Sequence, residues 1–327
     1  MKETREREIL GILPVKIRKI MEKLSIDWGR LQEIRLRIGE PVILRYGEKE
    51  FFLAEGVFLT KEPTAAVCVH REELKEAMEY ISNYSRYAYE EEIRQGFLTI
   101  RGGHRIGLAG RIIREDNHIK GMQYVSCLNI RLAHELIGCG KIVIPYLLNG
   151  NSIHNTLIVS PPCGGKTTLL RDIIRLISEG AASSMPGLTV GVVDERSEIA
   201  SCYQGIPQND LGCRTDILDA CPKVEGMFLL VRSMSPQVIA VDEIGSSADV
   251  EAIEYVMNSG VKLVATVHGA SMEEVQAKEG LNRLIKERVF GRYILLGGKA
   301  GQIQAVFDER GTPVSSFREW EGVREVC

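Results

Sequence analysis

The second half of the chain alternates short, continuously apolar runs with longer segments in which apolar residues recur at helical spacing. Val238–Val241 is one such run, and apolar residues at every position are typical of a strand covered on both faces. Strands are predicted at 155–159, 188–194, 237–242, 261–266, 292–296 and 302–307, and helices at 166–179, 223–234, 247–259 and 271–287. This alternation predicts a doubly wound α/β domain with a mostly parallel sheet.

The first third of the chain mixes both periodicities. Residues 1–30 and Arg71–Tyr84 have apolar residues spaced for one face of a helix. Strands are predicted at 31–36 and 42–44, and a hairpin is predicted from Ile112 and Ile113 through a turn at 115–117 to 124–132. The segment 133–154 is punctuated by glycine and proline, which is typical of a connection between domains. We therefore expect a smaller α+β domain over residues 1–135, followed by the α/β domain over residues 136–327.

Composition narrows the class of protein. Of 327 residues, 44% are apolar and 26% are charged, which favours folded domains with sizeable cores. The formal net charge of −3 does not indicate a nucleic-acid or membrane surface, and no uncharged run approaches the ~20 residues of a membrane-spanning helix. Eight cysteines without a CxxC pair, and a charged N-terminus without a signal sequence, predict a reduced, cytoplasmic protein with at most a peripheral membrane role.

A glycine-bearing loop separates the first strand of the α/β domain from its first helix. Strand, loop, Lys-Thr and helix follow in the order of a P-loop, whose backbone N–H groups and helix dipole bind phosphate. Lys166 would contact the β- and γ-phosphates of ATP, and Thr167 would place its hydroxyl on Mg²⁺. The pattern G-x-x-x-x-G-K-[ST] is broken only by Ser160 in its first position. The residues expected to hold the nucleotide are Ser160, Pro161, Pro162, Cys163, Gly164, Gly165, Lys166, Thr167 and Thr168.

Polar residues end three of the predicted strands, at the sheet edge where ligands of α/β folds bind. After one strand, Asp242 would hold Mg²⁺ and Glu243 would orient or deprotonate the attacking water. Glu195 is a second candidate base, on a strand that could lie beside the P-loop strand. Thr266 and His268 follow a third strand, and both could bond the γ-phosphate and report its loss. A P-loop together with three polar strand ends indicates nucleotide hydrolysis.

Three arginines, Arg101, Arg105 and Arg111, lie close together on glycine-rich sequence in the first domain. They form either an ordinary solvated hairpin or a cationic face for the nucleotide phosphates of this subunit or a neighbour. An arginine from another subunit commonly completes such sites, and Arg196 is a further candidate. The polar segment 212–223 is either a mobile loop that transmits nucleotide state or a surface connection.

Seven runs together resemble the stage III sporulation protein AA family of endospore-forming bacteria, over nearly the whole chain. This family is similar to the ATPases of type II and type IV secretion and of pilus assembly. The runs are EIRLRIGEP (33–41), GHRIGLAGR (103–111), SPPCGGKTTLLRD (160–172), VDERSEIA (193–200), RTDILDACPK (214–223), VIAVDEIG (238–245) and ATVHG (265–269).

The resemblance implies a RecA-like P-loop NTPase domain in a homo-oligomeric, hexameric ATP-driven motor. Such a motor would work at the mother-cell face of the channel between mother cell and forespore, with membrane-bound stage III sporulation A proteins as partners. Gly164–Thr168 would be Walker A, Asp242 and Glu243 Walker B, Glu195 the acidic box and His268 the histidine box. Arginines within 101–111 match the region from which an N-terminal domain contacts nucleotide. The chain departs from type II ATPases in lacking their tetracysteine metal motif.

Three hypotheses remain open. An oligomeric secretion-type ATPase would lose turnover on Lys166→Ala or Glu243→Gln. A nucleic-acid-stimulated P-loop ATPase is disfavoured by the negative net charge and the 6% aromatic content, so nucleic acid is not an expected partner. A non-hydrolysing scaffold that binds nucleotide only for assembly is disfavoured by the acidic strand ends.

Overall fold

The structure is a computed structural model that describes residues 2–82, 96–115, 118–180, 185–297 and 301–316. The described residues divide into two compact units, one over residues 2–134 and one over residues 135–316. Within the described residues, no helix is both long and apolar enough to cross a membrane.

The first unit contains an antiparallel seven-stranded sheet with helices packed on it. The sheet has the order β4-β3-β2-β1-β7-β6-β5. Residues such as Ile9, Ile34 and Leu74 from helices and sheet share one buried core. The elements are α1 (Lys2–Ile12), α2 (Val15–Met21), β1 (Leu31–Arg37), β2 (Ile43–Tyr46), β3 (Lys49–Ala54), β4 (Phe58–Thr60), α3 (Arg71–Ile81), β5 (Phe97–Thr99), β6 (Arg105–Glu115) and β7 (His118–Arg131).

The first unit differs from the sequence prediction in three places. The expected helix over residues 1–30 is two helices, because Pro14 lacks an N–H and stands as the N-cap of α2, which ends at Met21. Strands β3 and β4 were not predicted; β3 is exposed or half-buried over its first four positions, which weakens its apolar pattern. Helix α3 is present to Ile81, and the predicted extension to Tyr84 lies outside the described residues.

The second unit contains an eight-stranded sheet in the order β12-β11-β13-β14-β10-β15-β16-β17. The strands from β12 to β15 in this order run parallel, and β16 and β17 are antiparallel. The elements are α4 (Ile144–Leu147), β8 (Leu148–Asn149), β9 (Ser152–Ile153), β10 (Thr156–Ser160), α5 (Lys166–Glu179), β11 (Val190–Asp194), β12 (Thr215–Asp219), α6 (Lys223–Ser233), β13 (Val238–Val241), α7 (Ser247–Asn258), β14 (Lys262–His268), α8 (Met272–Gln276), α9 (Glu279–Lys286), β15 (Arg292–Leu296), β16 (Ile303–Asp308) and β17 (Pro313–Ser316).

This sheet is covered on both faces. Ile158 of β10 belongs to a buried cluster that includes α5, whereas Leu157 and Val159 of the same strand belong to a second cluster that includes α6, α7 and α9. Successive side chains of a strand point to opposite faces, so one apolar strand supplies both cores. The second unit is therefore a doubly wound α/β domain with a mostly parallel sheet, as predicted.

Three predictions for the second unit were wrong. The polar segment 212–223 contains strand β12, which lies at the sheet edge and has an exposed or half-buried residue at every position. The single helix at 271–287 is two helices, α8 and α9, with Ala277 and Lys278 between them. Strand β11 does not lie beside the P-loop strand β10, because β13 and β14 separate them.

Candidate functional site

The loop between β10 and α5 is built around a fully buried strand. All five residues of β10 are buried, and the strand lies between β14 and β15. The chain then turns through two left-handed residues, Cys163 with φ +60° and Gly165 with φ +88°. Helix α5 begins at Lys166, so its first backbone N–H groups, which have no partner within the helix, face this loop. A loop of this form can bind an anion at the helix N-terminus.

Ser160 is accommodated at the position where the P-loop pattern has glycine. Its side chain is fully buried, and Ser160 Oγ donates a hydrogen bond to the Pro161 carbonyl oxygen at 2.8 Å. A Cβ atom on Gly164 would lie only 2.3 Å from Ser160 Oγ. The glycine at 164 therefore provides the space that the serine hydroxyl fills.

The hydroxyl of Thr167 and the carboxylate of Asp242 are in direct contact. Thr167 Oγ1 donates to Asp242 Oδ2 at 2.6 Å, so a residue from α5 meets one that follows β13. The other carboxylate oxygen of Asp242 accepts a hydrogen bond from Thr266 Oγ1. Oxygen ligands of this kind are those that Mg²⁺ prefers, and the pair fits such an ion.

The hydroxyl of Thr266 makes its hydrogen bonds within the protein. Thr266 is fully buried, and besides donating to Asp242 its hydroxyl accepts the backbone N–H of Glu243 at 2.9 Å. Its hydroxyl is therefore already engaged within the protein. Thr266 holds the acidic pair in place and does not present a free hydroxyl to a γ-phosphate.

Glu243 lies at the centre of a cluster of cationic and polar side chains. Glu243 Oε1 is 2.6 Å from Lys166 Nζ and 2.9 Å from His268 Nε2, and Glu243 Oε2 is 2.9 Å from Arg196 Nη1. Burial acts to raise the pKa of the Glu243 carboxyl, but Lys166, His268 and Arg196 outweigh it and hold the pKa below its usual range. The carboxylate is therefore ionised at neutral pH.

The backbone of Glu243 is in the left-handed region, with φ +57°. A non-glycine residue in this conformation is strained by about 1–3 kcal/mol and persists only where its surroundings fix it. The N–H of Glu243 is bound by Thr266, and its carbonyl accepts from Lys223 Nζ at 2.9 Å. The following turn is held by Asp249, whose carboxylate accepts the N–H groups of Gly245 and Ser246.

Asp194 and Glu195, at the end of β11, have different environments. The buried carboxylate of Asp194 accepts three backbone N–H groups, from Glu198, Ile199 and Ala200, and so shapes the loop that follows. Burial raises the pKa of Asp194 although these hydrogen bonds act to lower it. Glu195 is half-exposed, and its Oε2 lies 3.1 Å from Lys223 Nζ. The two candidate bases, Glu195 and Glu243, thus share Lys223 as a neighbour.

The three arginines of the first unit lie around the start of β6 and along it. Arg101 Nε is 3.8 Å from Glu8 Oε1, and the Arg105 guanidinium stacks over the Phe97 ring at 4.8 Å from its centroid. Arg111 is exposed on the β6–β7 hairpin. The structure therefore places Arg105 and Arg111 on one strand.

Sequence reasoning missed two lysines of the site. Lys223 bridges Glu195 and the Glu243 carbonyl, and Lys278 Nζ donates to the carbonyl of His268. Neither lysine stands at a strand end, so the pattern that selected the acidic residues carried no signal for them. Their roles depend on contacts between residues that are 10 to 28 positions apart.

Comparison with known proteins gives one family and one fold. The family model described as sporulation stage III, protein AA matches residues 3–314. Stage III sporulation protein AA of Bacillus subtilis (strain 168) is 41% identical over 312 residues, which are 94% of this chain and 97% of that protein.

Among solved structures, the pilus retraction motor PilT with bound ADP is similar with a TM-score of 0.56 and 16% identity, over 88% of this chain and 77% of that one. The ATPase DotB of Legionella pneumophila is similar with a TM-score of 0.54 and 15% identity, over 86% and 76%. The fold is thus that of the P-loop secretion and pilus ATPases, with a RecA-like domain preceded by a smaller α+β domain. By the family match and the 41% identity, this chain belongs to the sporulation stage III, protein AA family.

Proposed function

We propose that this chain is an Mg²⁺-dependent ATPase of an oligomeric, secretion-type motor that powers or assembles the channel between mother cell and forespore during endospore formation. Family membership supports the sporulation role, and the likeness in fold to PilT and DotB supports a motor. The observation that carries the enzymatic part is the meeting of two pairs, Thr167 with Asp242 and Lys166 with Glu243, each at 2.6 Å.

The loop backbone and the side chains of Lys166, Thr167 and Asp242 have separate roles in this proposal. The backbone from Ser160 to Thr168 would surround the phosphates of ATP, and Lys166 would neutralise the β- and γ-phosphates. Thr167 and Asp242 would hold Mg²⁺, which when bound draws negative charge from the phosphate oxygens. Since Thr266 fixes the second oxygen of Asp242, the carboxylate is oriented in advance.

Glu243 is the proposed base. Its ionised carboxylate can accept a proton from the attacking water or orient that water, and His268, on the same carboxylate oxygen as Lys166, would respond to nucleotide state. Glu195 is the less favoured base, because its carboxylate contacts Lys223, whereas that of Glu243 contacts Lys166, the lysine of the loop. Arg105 and Arg111 are proposed as arginines that act on the nucleotide of a neighbouring subunit.

The assembly proposed is a homo-oligomeric, hexameric ring at the mother-cell face of the membrane. Its partners would be the membrane-bound stage III sporulation A proteins, and it would bind the membrane complex peripherally from the cytoplasm. Within each subunit, residues 136–327 would form the ATPase domain and residues 1–135 the N-terminal domain. A cyclic ring requires a head-to-tail interface, so turnover is expected to rise with protein concentration as subunits associate.

The test is ATP turnover by the full chain with Mg²⁺, together with its mass in solution with and without ATP. We expect Lys166→Ala and Glu243→Gln to lower turnover by about 100-fold or more, since each removes a charge placed at the reacting phosphate. Lys286→Met is the matched control, because Lys286 is an exposed lysine at the end of α9. Equal turnover by wild type and Lys166→Ala would refute the proposal. Added single-stranded DNA is expected to leave the rate unchanged.

A further inference from the structure

Lys223 contacts both candidate bases, Glu195 and Glu243. It is the first residue of α6, and its side chain is 15% exposed. Lys223 Nζ donates to the backbone carbonyl of Glu243 at 2.9 Å and lies 3.1 Å from Glu195 Oε2. One ammonium group therefore links the end of β11 to the turn that follows β13.

A lysine is an unfavourable residue at this place in a helix. The N-terminus of a helix carries a partial positive charge, which repels a cation in the first turn. The stem of Lys223 is also largely buried, so its rotamer freedom is lost. Helix preference does not explain a lysine here, whereas the two contacts with Glu195 and the Glu243 carbonyl do.

Two glycines allow helix α6 to pack closely against strand β11. A Cβ atom on Gly226 of α6 would lie 2.4 Å from Val193 Cγ1, and a Cβ atom on Gly191 of β11 would lie 2.9 Å from Leu230 Cδ1. Helix and strand thus approach more closely than larger residues would permit. Because Val193 is two residues before Glu195 and Gly226 is three residues after Lys223, this close packing brings the start of α6 near the end of β11.

The carbonyl that Lys223 binds belongs to a residue with a strained backbone. Glu243 has φ +57°, and its N–H is fixed by Thr266 on one side. Lys223 fixes the carbonyl on the other side. Both ends of the Glu243 backbone unit are therefore held by side chains, as a strained conformation requires.

We propose that Lys223 is a positioning residue that holds the backbone of Glu243, and that Glu195 acts by holding Lys223 and not as the base. This inference rests on the ATPase function proposed above. Without the ammonium group the Glu243 carbonyl loses its partner, and the backbone can relax toward an unstrained conformation. The Glu243 carboxylate then moves relative to the nucleotide, while Thr167 and Asp242, which do not touch Lys223, keep their contact.

The experiment measures kcat and KM for ATP, and ADP affinity, in full-length Lys223→Met, Lys223→Arg, Glu195→Gln and the double variant Lys223→Met/Glu195→Gln. We expect Lys223→Met to lower kcat by about 10- to 100-fold, the effect of a small misplacement of a catalytic group. KM and ADP affinity should stay within about two-fold, because the phosphate and Mg²⁺ ligands are intact. Lys223→Arg, which keeps the charge and the donors, should recover part of kcat.

Glu195→Gln should lower kcat no more than Lys223→Met does, and the double variant should be no worse than Lys223→Met, since both changes break one linkage. Lys286→Met again controls for the loss of a lysine charge. A kcat of Lys223→Met equal to that of this control would overturn the inference. So would a Glu195→Gln kcat far below that of Lys223→Met, which would make Glu195 the base.

Folding and the proposed function are checked in the same series. ADP binding and the melting temperature show whether Lys223→Met is folded, and if it is not, Lys223→Arg and Glu195→Gln decide the question through their kcat values. If Lys166→Ala and Glu243→Gln retain full turnover, the ATPase proposal itself fails. If those two lose turnover and Lys223→Met does not, only the positioning role fails.

Discussion

The hydroxyl of Thr266 is expected to stabilise the folded protein through two buried hydrogen bonds. Thr266 is fully buried on β14, donates to Asp242 and accepts the N–H of Glu243. Thr266→Val removes the hydroxyl and retains nearly the same volume. The change therefore tests the two hydrogen bonds without opening a cavity.

The expected cost follows from the two partners. A hydrogen bond to a charged group contributes about 1.5–3 kcal/mol, and an unpaired N–H left behind costs about 1–3 kcal/mol. Since Asp242 and Glu243 are partly exposed, we take the lower part of each range and expect a loss of about 3 kcal/mol. At about 2–4 °C per kcal/mol for a domain of this size, the melting temperature should fall by about 6–12 °C.

Thr266→Ser provides the control for this prediction. Serine keeps the hydroxyl and both hydrogen bonds and loses only one methyl group, which costs about 1 kcal/mol, or about 2–4 °C. Scanning calorimetry of the full-length variants measures both shifts, and ATP turnover should fall further in Thr266→Val than in Thr266→Ser. Equal shifts for the two variants would mean that burial of the side chain, and not its hydrogen bonds, stabilises the site.

The remaining predictions concern the loop after β10, two buried cysteines outside it and the need for Mg²⁺. Gly164→Ala should abolish ADP binding, because the alanine Cβ would meet Ser160 Oγ at 2.3 Å. Adding Ser160→Gly should restore part of the ADP binding. A binding titration that shows no restoration would contradict this packing of Ser160 against Gly164. Maleimide, followed by peptide mass spectrometry, should label exposed Cys163 and do so more slowly with Mg²⁺-ATP. Cys139 and Cys202 should stay unlabelled at pH 7, since burial raises the pKa of each thiol to about 12. Chelation of Mg²⁺ should stop turnover, and persistence of the full rate would exclude the proposed role of Thr167.

The central strands of the second unit were predictable, because a strand that is buried on both faces has an apolar residue at nearly every position. A strand covered on both faces, such as β13, is apolar throughout, and every residue of β13 is buried. Edge strands have a weaker apolar pattern: among the described strands β12 pairs only with β11, and each of its residues is exposed or half-buried. Strand β3 of the first unit lies between β2 and β4, but its first two residues are polar and exposed, so its apolar pattern is also weak.

The residues of the candidate site were also named from sequence, but their partners were not. Placement at the ends of apolar strands selected Asp242, Glu243 and His268, and the structure brings all three to one place. Strand order, however, is set by packing of helices on the sheet, and so the expectation that Glu195 follows a strand next to β10 was wrong. The roles of Thr266 and Lys223 depend on that order.

The sequence by itself determined the alternation of strands and helices, the strand–loop–helix order around residues 160–168 and the acidic residues that follow the strands. Local spacing and residue type are enough for these features, because each depends on neighbours along the chain. Only the tertiary structure decided that Ser160 fits against Gly164, that Thr266 holds Asp242, and that Lys223 binds the Glu243 carbonyl. Each of these contacts depends on the distance between elements, and that distance is fixed by packing and not by the order of residues.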